Sequence, residues 1–183
     1  KIFGGSGSTK LARNICNYLN VEPGRSEILH FSEGNIFVSI DENVRGKKIY
    51  IVQSIAYPVN DNFMELLFWI DAFKRASAQD VNVIIPYFGY AKGDKKDEPR
   101  GSVRARVCAD AIESAGADRV ILMDIHAPHI TGFFKIPTDV VYARPVICKA
   151  IKGKSLPDLV VVSPDAGFAK QSRKFANYLG APL

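Results

Sequence analysis

The chain has 183 residues, of which 47% are apolar and 23% charged, enough to bury a core and to make one full domain or one domain plus part of another. Its net charge of +5 points to an anionic partner, but Lys and Arg are dispersed and form no block suited to a nucleic-acid backbone. No apolar run approaches the roughly 20 residues of a membrane span, and the first residues do not resemble a signal peptide. Cys16, Cys108 and Cys148 lie far apart with no C-x-x-C pair, so a soluble cytoplasmic protein with reduced core thiols on helices is expected.

In chain order, Lys1-Ile-Phe3 reads as a short strand and Gly4-Gly-Ser-Gly-Ser8 as a tight turn whose Ser8 can cap a helix. That helix carries Leu11, Ala12, Ile15, Cys16 and Leu19 at helical spacing. The turn lacks the Walker lysine spacing and G-x-G-x-x-G, which leaves a structural role or anion binding at the helix N-terminus. Glu27 to Phe31 and Asn35 to Ile40 read as paired strands around Ser32-Glu-Gly34, with Phe31 and Glu33 at a tip that either packs locally or touches a ligand. Lys47 to Gln53 is the next strand. Asn62 and Glu65 have capping-box spacing and are expected to open a helix from Phe63 to Ser77, apolar over so much of its circumference that it is a sandwiched core helix or a dimer seam.

Val81 to Ile85 is a buried strand that ends in a loop carrying seven charges in the nine positions 92 to 100. Four are basic (Lys92, Lys95, Lys96, Arg100) and three acidic (Asp94, Asp97, Glu98), and Pro86, Gly89, Gly93, Pro99 and Gly101 exclude a regular helix. Such a loop is either a solvated surface or a seat for a polyphosphate with its cation. A helix from Ser102 to Ala115 follows, stopped by Gly116, and then a strand from Arg119 that delivers Asp124 and His126 to one side of its carboxyl end. Asp139 to Ala143 is a further extended piece, Pro145 to Ile151 a helix, Asp158 to Ser163 a buried strand ending at Asp165, and Phe168 to Leu179 a last helix. Alternation of strands with helices predicts an α/β fold with a mainly parallel sheet covered on both faces. The division expected is residues 1–142 and 143–183, the second too short for a whole α/β domain, so the chain reads as cut off.

If those strands are neighbours, the 92 to 100 loop, Asp124 with His126, and Asp165 open onto one sheet edge, where ligands bind. Zinc is disfavoured there, since only one histidine and no paired cysteines converge, and the oxygen-rich surroundings favour Mg2+ shared with phosphate. His30 and His129 are expected to be structural.

The run Asp124-Ile-His-Ala-Pro-His-Ile-Thr-Gly-Phe-Phe-Lys-Ile-Pro-Thr-Asp139 resembles the signature D-L-H-A-x-Q-I-x-G-F-F-x-x-P-x-D of the ribose-phosphate diphosphokinases, also called phosphoribosyl pyrophosphate synthetases. Phe31-Ser-Glu-Gly34, Asn60 to Leu67, Tyr90 to Asp97 and Ser163-Pro-Asp-Ala-Gly167 match further family motifs in the family's order. The resemblance implies a phosphoribosyltransferase-like fold with a second, truncated domain of the same kind, and transfer of the diphosphoryl group of ATP to the 1-hydroxyl of ribose 5-phosphate with release of AMP. It implies that Phe31, Glu33 and Asn35 reach ATP held by a neighbouring subunit, that Lys92, Gly93, Lys95 and Asp97 contact ATP, and that His126 is catalytic. It further implies that His126 and Asp165, with Asp124 and Asp139, serve Mg2+. Dimers assembling to a hexamer would be the partners, with no nucleic acid and no membrane. Departures from the pattern are Lys92-Gly93 for Arg-Gln, Glu33 and Asn35 at the hairpin tip, and His129 for Gln. The family's acidic ribose-phosphate loop is absent from these residues, so the 183 residues alone are expected to be inactive. A non-catalytic regulatory relative that co-assembles with active subunits is the alternative.

Overall fold

Strands with apolar side chains on both faces pair into a five-stranded parallel sheet in the computed structural model, which describes residues 1–183. Its order is β1 (Ile2–Gly4), β4 (Lys48–Val52), β5 (Asp80–Ile85), β6 (Arg119–Met123) and β7 (Thr138–Val141), every neighbour parallel. Between β1 and β4 the chain makes an antiparallel hairpin of β2 (Ser26–His30) and β3 (Ile36–Ile40). Helix α1 (Thr9–Leu19) lays Ala12 and Cys16 on Ile2 and Val52 at one face. On the other face α2 (Val59–Arg75) and α3 (Arg104–Ala115) bury Leu66, Trp69, Phe73, Ala109 and Ile112 against Ile49, Ile51, Val83 and Val120. This is the α/β arrangement with helices on both faces that the alternating pattern implies. Residues Lys1–Val141 form one compact unit and Tyr142–Leu183 another.

Several local expectations are overturned, each because a polar side chain is drawn into a tertiary contact. Asn62 and Glu65 do not cap a helix start, since α2 already begins at Val59. Both are buried. Asn62 Nδ2 donates to the Ala56 carbonyl, while Glu65 Oε1 accepts the Ser6 N–H at 2.8 Å and the Trp69 indole N–H at 3.1 Å. Gln53 Oε1 accepts the Gly7 N–H at 3.0 Å. The amides of the Gly/Ser turn are thus held by the protein's own side chains, which supports the structural reading of that turn over anion binding. Ser8 makes no cap hydrogen bond, because its hydroxyl pairs with Ser54 at 2.9 Å. Helix α2 is sandwiched as expected, packed against hairpin strand β3 as well as against α3 and the sheet, while Met64 and Phe68 stay 42% and 38% exposed.

All three cysteines are free and buried, in α1, α3 and α4 (Arg144–Lys152). Burial pushes the Cys108 thiol from 9.0 up to about 11, since its thiolate would be desolvated. The unfolded chain therefore releases this proton near pH 9 while the folded chain keeps it, so the stability contribution is whole below pH 9 and is lost as pH rises towards about 11. The expected loss across that window is about 2 kcal/mol. Urea unfolding midpoints should fall more steeply over it in the wild-type chain than in Cys108→Ala, and equal slopes would refute the assignment.

In the second unit, α4 and α5 (Ala169–Leu179) pack together and bury Cys148 and Ala176. The strand expected over Asp158–Ser163 does not form. A strand needs a neighbour for its amides, and here only Val161 is engaged in backbone bonding, donating to the Pro182 carbonyl at 2.9 Å, while Val162 is 81% exposed.

Candidate functional site

Strands β5 and β6 run side by side in register Ile85 with Leu122, so the segments that follow them leave the sheet together at its carboxyl edge. That edge is where open α/β sheets bind ligands. Strand β6 ends at Met123, one residue earlier than expected, because Asp124 adopts φ 43°, a left-handed conformation that Asp tolerates better than most residues. Its N–H still donates to the Val141 carbonyl at 3.0 Å. Asp124 and His126 therefore reach one place through a turn and not by strand alternation.

A cleft of about 170 Å³ separates the two segments. Tyr87, Phe88 and Lys92 line it from the β5 side, and Asp124 and His126 from the β6 side. Phe88 is buried beneath it and packs near Phe134, ring centroids 6.4 Å apart, which braces the floor. The polar groups offered are an ammonium, a carboxylate and an imidazole, a set that suits a phosphate-bearing ligand accompanied by a cation. Mg2+ takes one or two protein groups when phosphates and water supply the rest, and Asp124 with His126 fits that number.

The other expected site residues of the first unit are not among the side chains that line this cleft. Gly93 is buried next to Arg104, where an added Cβ would come within 2.9 Å of the Arg104 Cβ, so the glycine permits a close approach to the start of α3. Lys95 and Asp97 are exposed and pair with each other at 3.3 Å, a contact worth little in water and open to competition by a ligand. Phe31, Glu33 and Asn35 occupy the exposed hairpin tip, turned by Gly34 at φ 91°, with Asn35 Nδ2 donating to Glu33 at 3.0 Å. Asp139 lies within β7 opposite Ile121 and is ion-paired with Arg119, so it does not join Asp124 and His126. In the second unit, Asp165 Oδ1 accepts the Phe168 N–H at 2.7 Å just ahead of α5. No group of three or more His, Cys, Asp or Glu side chains stands close enough to hold a metal without other ligands.

Sequence reading missed the contact between Asp94 and His129, 3.0 Å apart. Neither spacing nor periodicity links residues this far apart in the chain.

Residues 1–116 match the profile of a family described as the N-terminal domain of ribose phosphate pyrophosphokinase. Ribose-phosphate pyrophosphokinase of Clostridium perfringens is 49% identical over 186 residues, covering 100% of this chain and 58% of that protein. That of Caldanaerobacter subterraneus is 48% identical over 184 residues, with the same coverage of 100% and 58%. The crystal structure of phosphoribosylpyrophosphate synthetase from Mycobacterium smegmatis superimposes with a TM-score of 0.93 at 38% identity, covering 100% of this chain and 62% of that one. The chain thus spans 58% of the length of these two curated relatives. Family profile, sequence kinship and a shared fold agree, and the chain belongs to the ribose-phosphate pyrophosphokinase family, of which it represents the amino-terminal portion.

Proposed function

We propose that this chain supplies the ATP-holding part of a ribose-phosphate diphosphokinase. The observation that carries the reading is the shared cleft of Lys92, Asp124 and His126 at the carboxyl edge of β5 and β6. In the reaction proposed, the 1-hydroxyl oxygen of ribose 5-phosphate bonds to the β-phosphorus of ATP, the bond from that phosphorus to the α-phosphate oxygen breaks, AMP leaves with the electron pair, and the hydroxyl proton is lost to solvent. Phosphoryl chemistry of this kind is governed by positioning and charge neutralisation more than by covalent catalysis. Lys92 would neutralise phosphate oxygens from one wall, and His126 would orient a phosphate or its water from the other. Asp124 and His126 would hold Mg2+, which would supply charge neutralisation for the transferred group, and the family motif alone suggests Asp165 as a further contributor.

Lys95 and Asp97 would exchange their mutual ion pair for ATP contacts, while Gly93 lets the loop lie against α3. Phe31, Glu33 and Asn35 would act on the nucleotide of a neighbouring subunit in a homo-oligomer, dimers building a hexamer, and the half-exposed Met64 and Phe68 of α2 offer apolar surface for such assembly. No helix is long and apolar enough to cross a membrane. A cytoplasmic location accords with a nucleotide-biosynthetic role.

Calorimetric titration of ATP with Mg2+ into the chain tests the reading. Saturable binding dependent on Mg2+, with no AMP released on adding ribose 5-phosphate, is the expected result, because the ribose-phosphate loop of the family is not among these residues. A titration that gives no binding heat would remove the proposal.

A further inference from the structure

Among the charged side chains of the loop after β5, Asp94 is the one folded inward. Its side chain is 5% exposed, against 73% for Lys95 and 61% for Asp97. A carboxylate that has lost its water is costly unless a donor meets it. The group that meets it is His129, whose Nε2 lies 3.0 Å from Asp94 Oδ2.

The two partners belong to opposite walls of the cleft. Asp94 follows Lys92 by two positions, and His129 follows His126 by three. His129 sits in a 3-10 turn, Pro128–Phe133, that is itself firmly held. Its Ile130 is fully buried, and the Phe133 carbonyl accepts from Arg106 Nη1 at 3.0 Å, with Arg106 paired to Asp110 along α3. The imidazole also meets the Phe133 ring edge-on, centroids 5.9 Å apart. On the loop side, Gly93 is the last residue with backbone hydrogen bonds before the exposed stretch, donating to the Tyr90 carbonyl and accepting from the Ala105 N–H. Asp94 is therefore the final hold on the loop before Lys95 and Asp97.

We infer that His129 is a positioning residue for the nucleotide cleft: through its close polar contact with buried Asp94 it clasps the charged loop to the turn that follows His126, and so sets how Lys92 and Lys95 are presented opposite His126. This role rests on the ATP reading above. The family signature carries glutamine at this position, and a glutamine Nε2 can occupy nearly the place of the histidine Nε2 and donate to the same oxygen. The function lost with the imidazole is thus the polar contact with Asp94, which Gln restores and Ala does not.

The test compares wild type, His129→Ala and His129→Gln in the full chain by amide hydrogen exchange over residues 94–97 and by Mg·ATP affinity. His129→Ala is expected to exchange faster over those amides and to bind Mg·ATP about tenfold more weakly, the size of effect a lost hydrogen bond to a charged group produces. His129→Gln should match wild type in both measurements. The thermal midpoint should fall in His129→Ala, because the Asp94 carboxylate, 5% exposed, loses the polar group that meets it, and should hold in His129→Gln. Unchanged exchange in His129→Ala would overturn the clasp, whether or not nucleotide binds. Faster exchange with undiminished affinity would overturn the positioning role. A Gln variant as impaired as Ala would also overturn it, since the imidazole would then act on the ligand directly. Failure of the wild-type chain to bind Mg·ATP would instead remove the ATP reading and the positioning role with it, while the exchange data would still report on the clasp.

Discussion

Replacing His126 by alanine is expected to abolish AMP release by the complete enzyme while leaving the fold intact. His126 is exposed at the sheet edge, so its removal opens no cavity in the core, and surface substitutions of this kind usually change stability by less than about 0.5 kcal/mol. The chemistry is another matter. Lys92 and His126 face each other across a cleft of about 170 Å³, too small for one group to substitute for another without rearrangement. Loss of one preorganised group that stabilises charge in a transition state typically costs about 100- to 1,000-fold in rate, and the cost is larger when the same group helps to place the metal–phosphate unit. Single-turnover assays of AMP formation, paired with a thermal melt, separate the two effects. Turnover within threefold of wild type (roughly 0.7 kcal/mol of barrier) would exclude His126 from the reacting ensemble, and a collapsed melting transition would reassign it to the core.

Trp69→Ala is expected to be the most damaging substitution for stability. The indole is fully buried, stacked on Phe73 with centroids 5.4 Å apart and tilted against Phe3 at 5.8 Å. Truncation would leave a cavity between α2 and the sheet, costing about 3 to 5 kcal/mol. It would also take a donor from Glu65, a buried carboxylate that is bonded besides to the Ser6 N–H of the turn after β1. Against a typical domain stability of about 5 to 15 kcal/mol, that leaves little margin. Urea unfolding followed by tyrosine fluorescence or circular dichroism should show the midpoint collapse, with Trp69→Phe intermediate because it refills most of the space and still lacks the donor. A loss below about 1 kcal/mol would mean that the aromatic cluster tolerates a void and that the core is organised elsewhere.

These two residues differ in how openly the chain announces them. Strands β4, β5 and β6 were legible because a parallel sheet covered on both sides demands apolar runs, and Ile49 to Val52, Val83 to Ile85 and Val120 to Leu122 provide them. The charged loop was legible because Gly and Pro forbid its continuing as a helix. The family motif around Asp124 and His126 is legible in the chain by itself. Less visible was the start of α2, because the Asn62 and Glu65 spacing that looks like a cap is used instead to bind Gln53 and the Gly/Ser turn. The false strand over Asp158–Ser163 failed for a related reason, since an apolar run states only that a segment suits pairing and not that a partner strand is available.

By itself the amino-acid order determined the class of fold, the family and the stretches that carry charge to the sheet edge, because these follow from local periodicity, backbone restrictions and motif identity. Tertiary structure alone decided which charges share a cleft. It joined Lys92 to Asp124 and His126, left Asp139 with Arg119, and turned Asp94 inward to His129. The physical reason is that burial and hydrogen bonding between segments distant along the chain depend on the packing of β5, β6 and α3, and no spacing within any one segment encodes that packing.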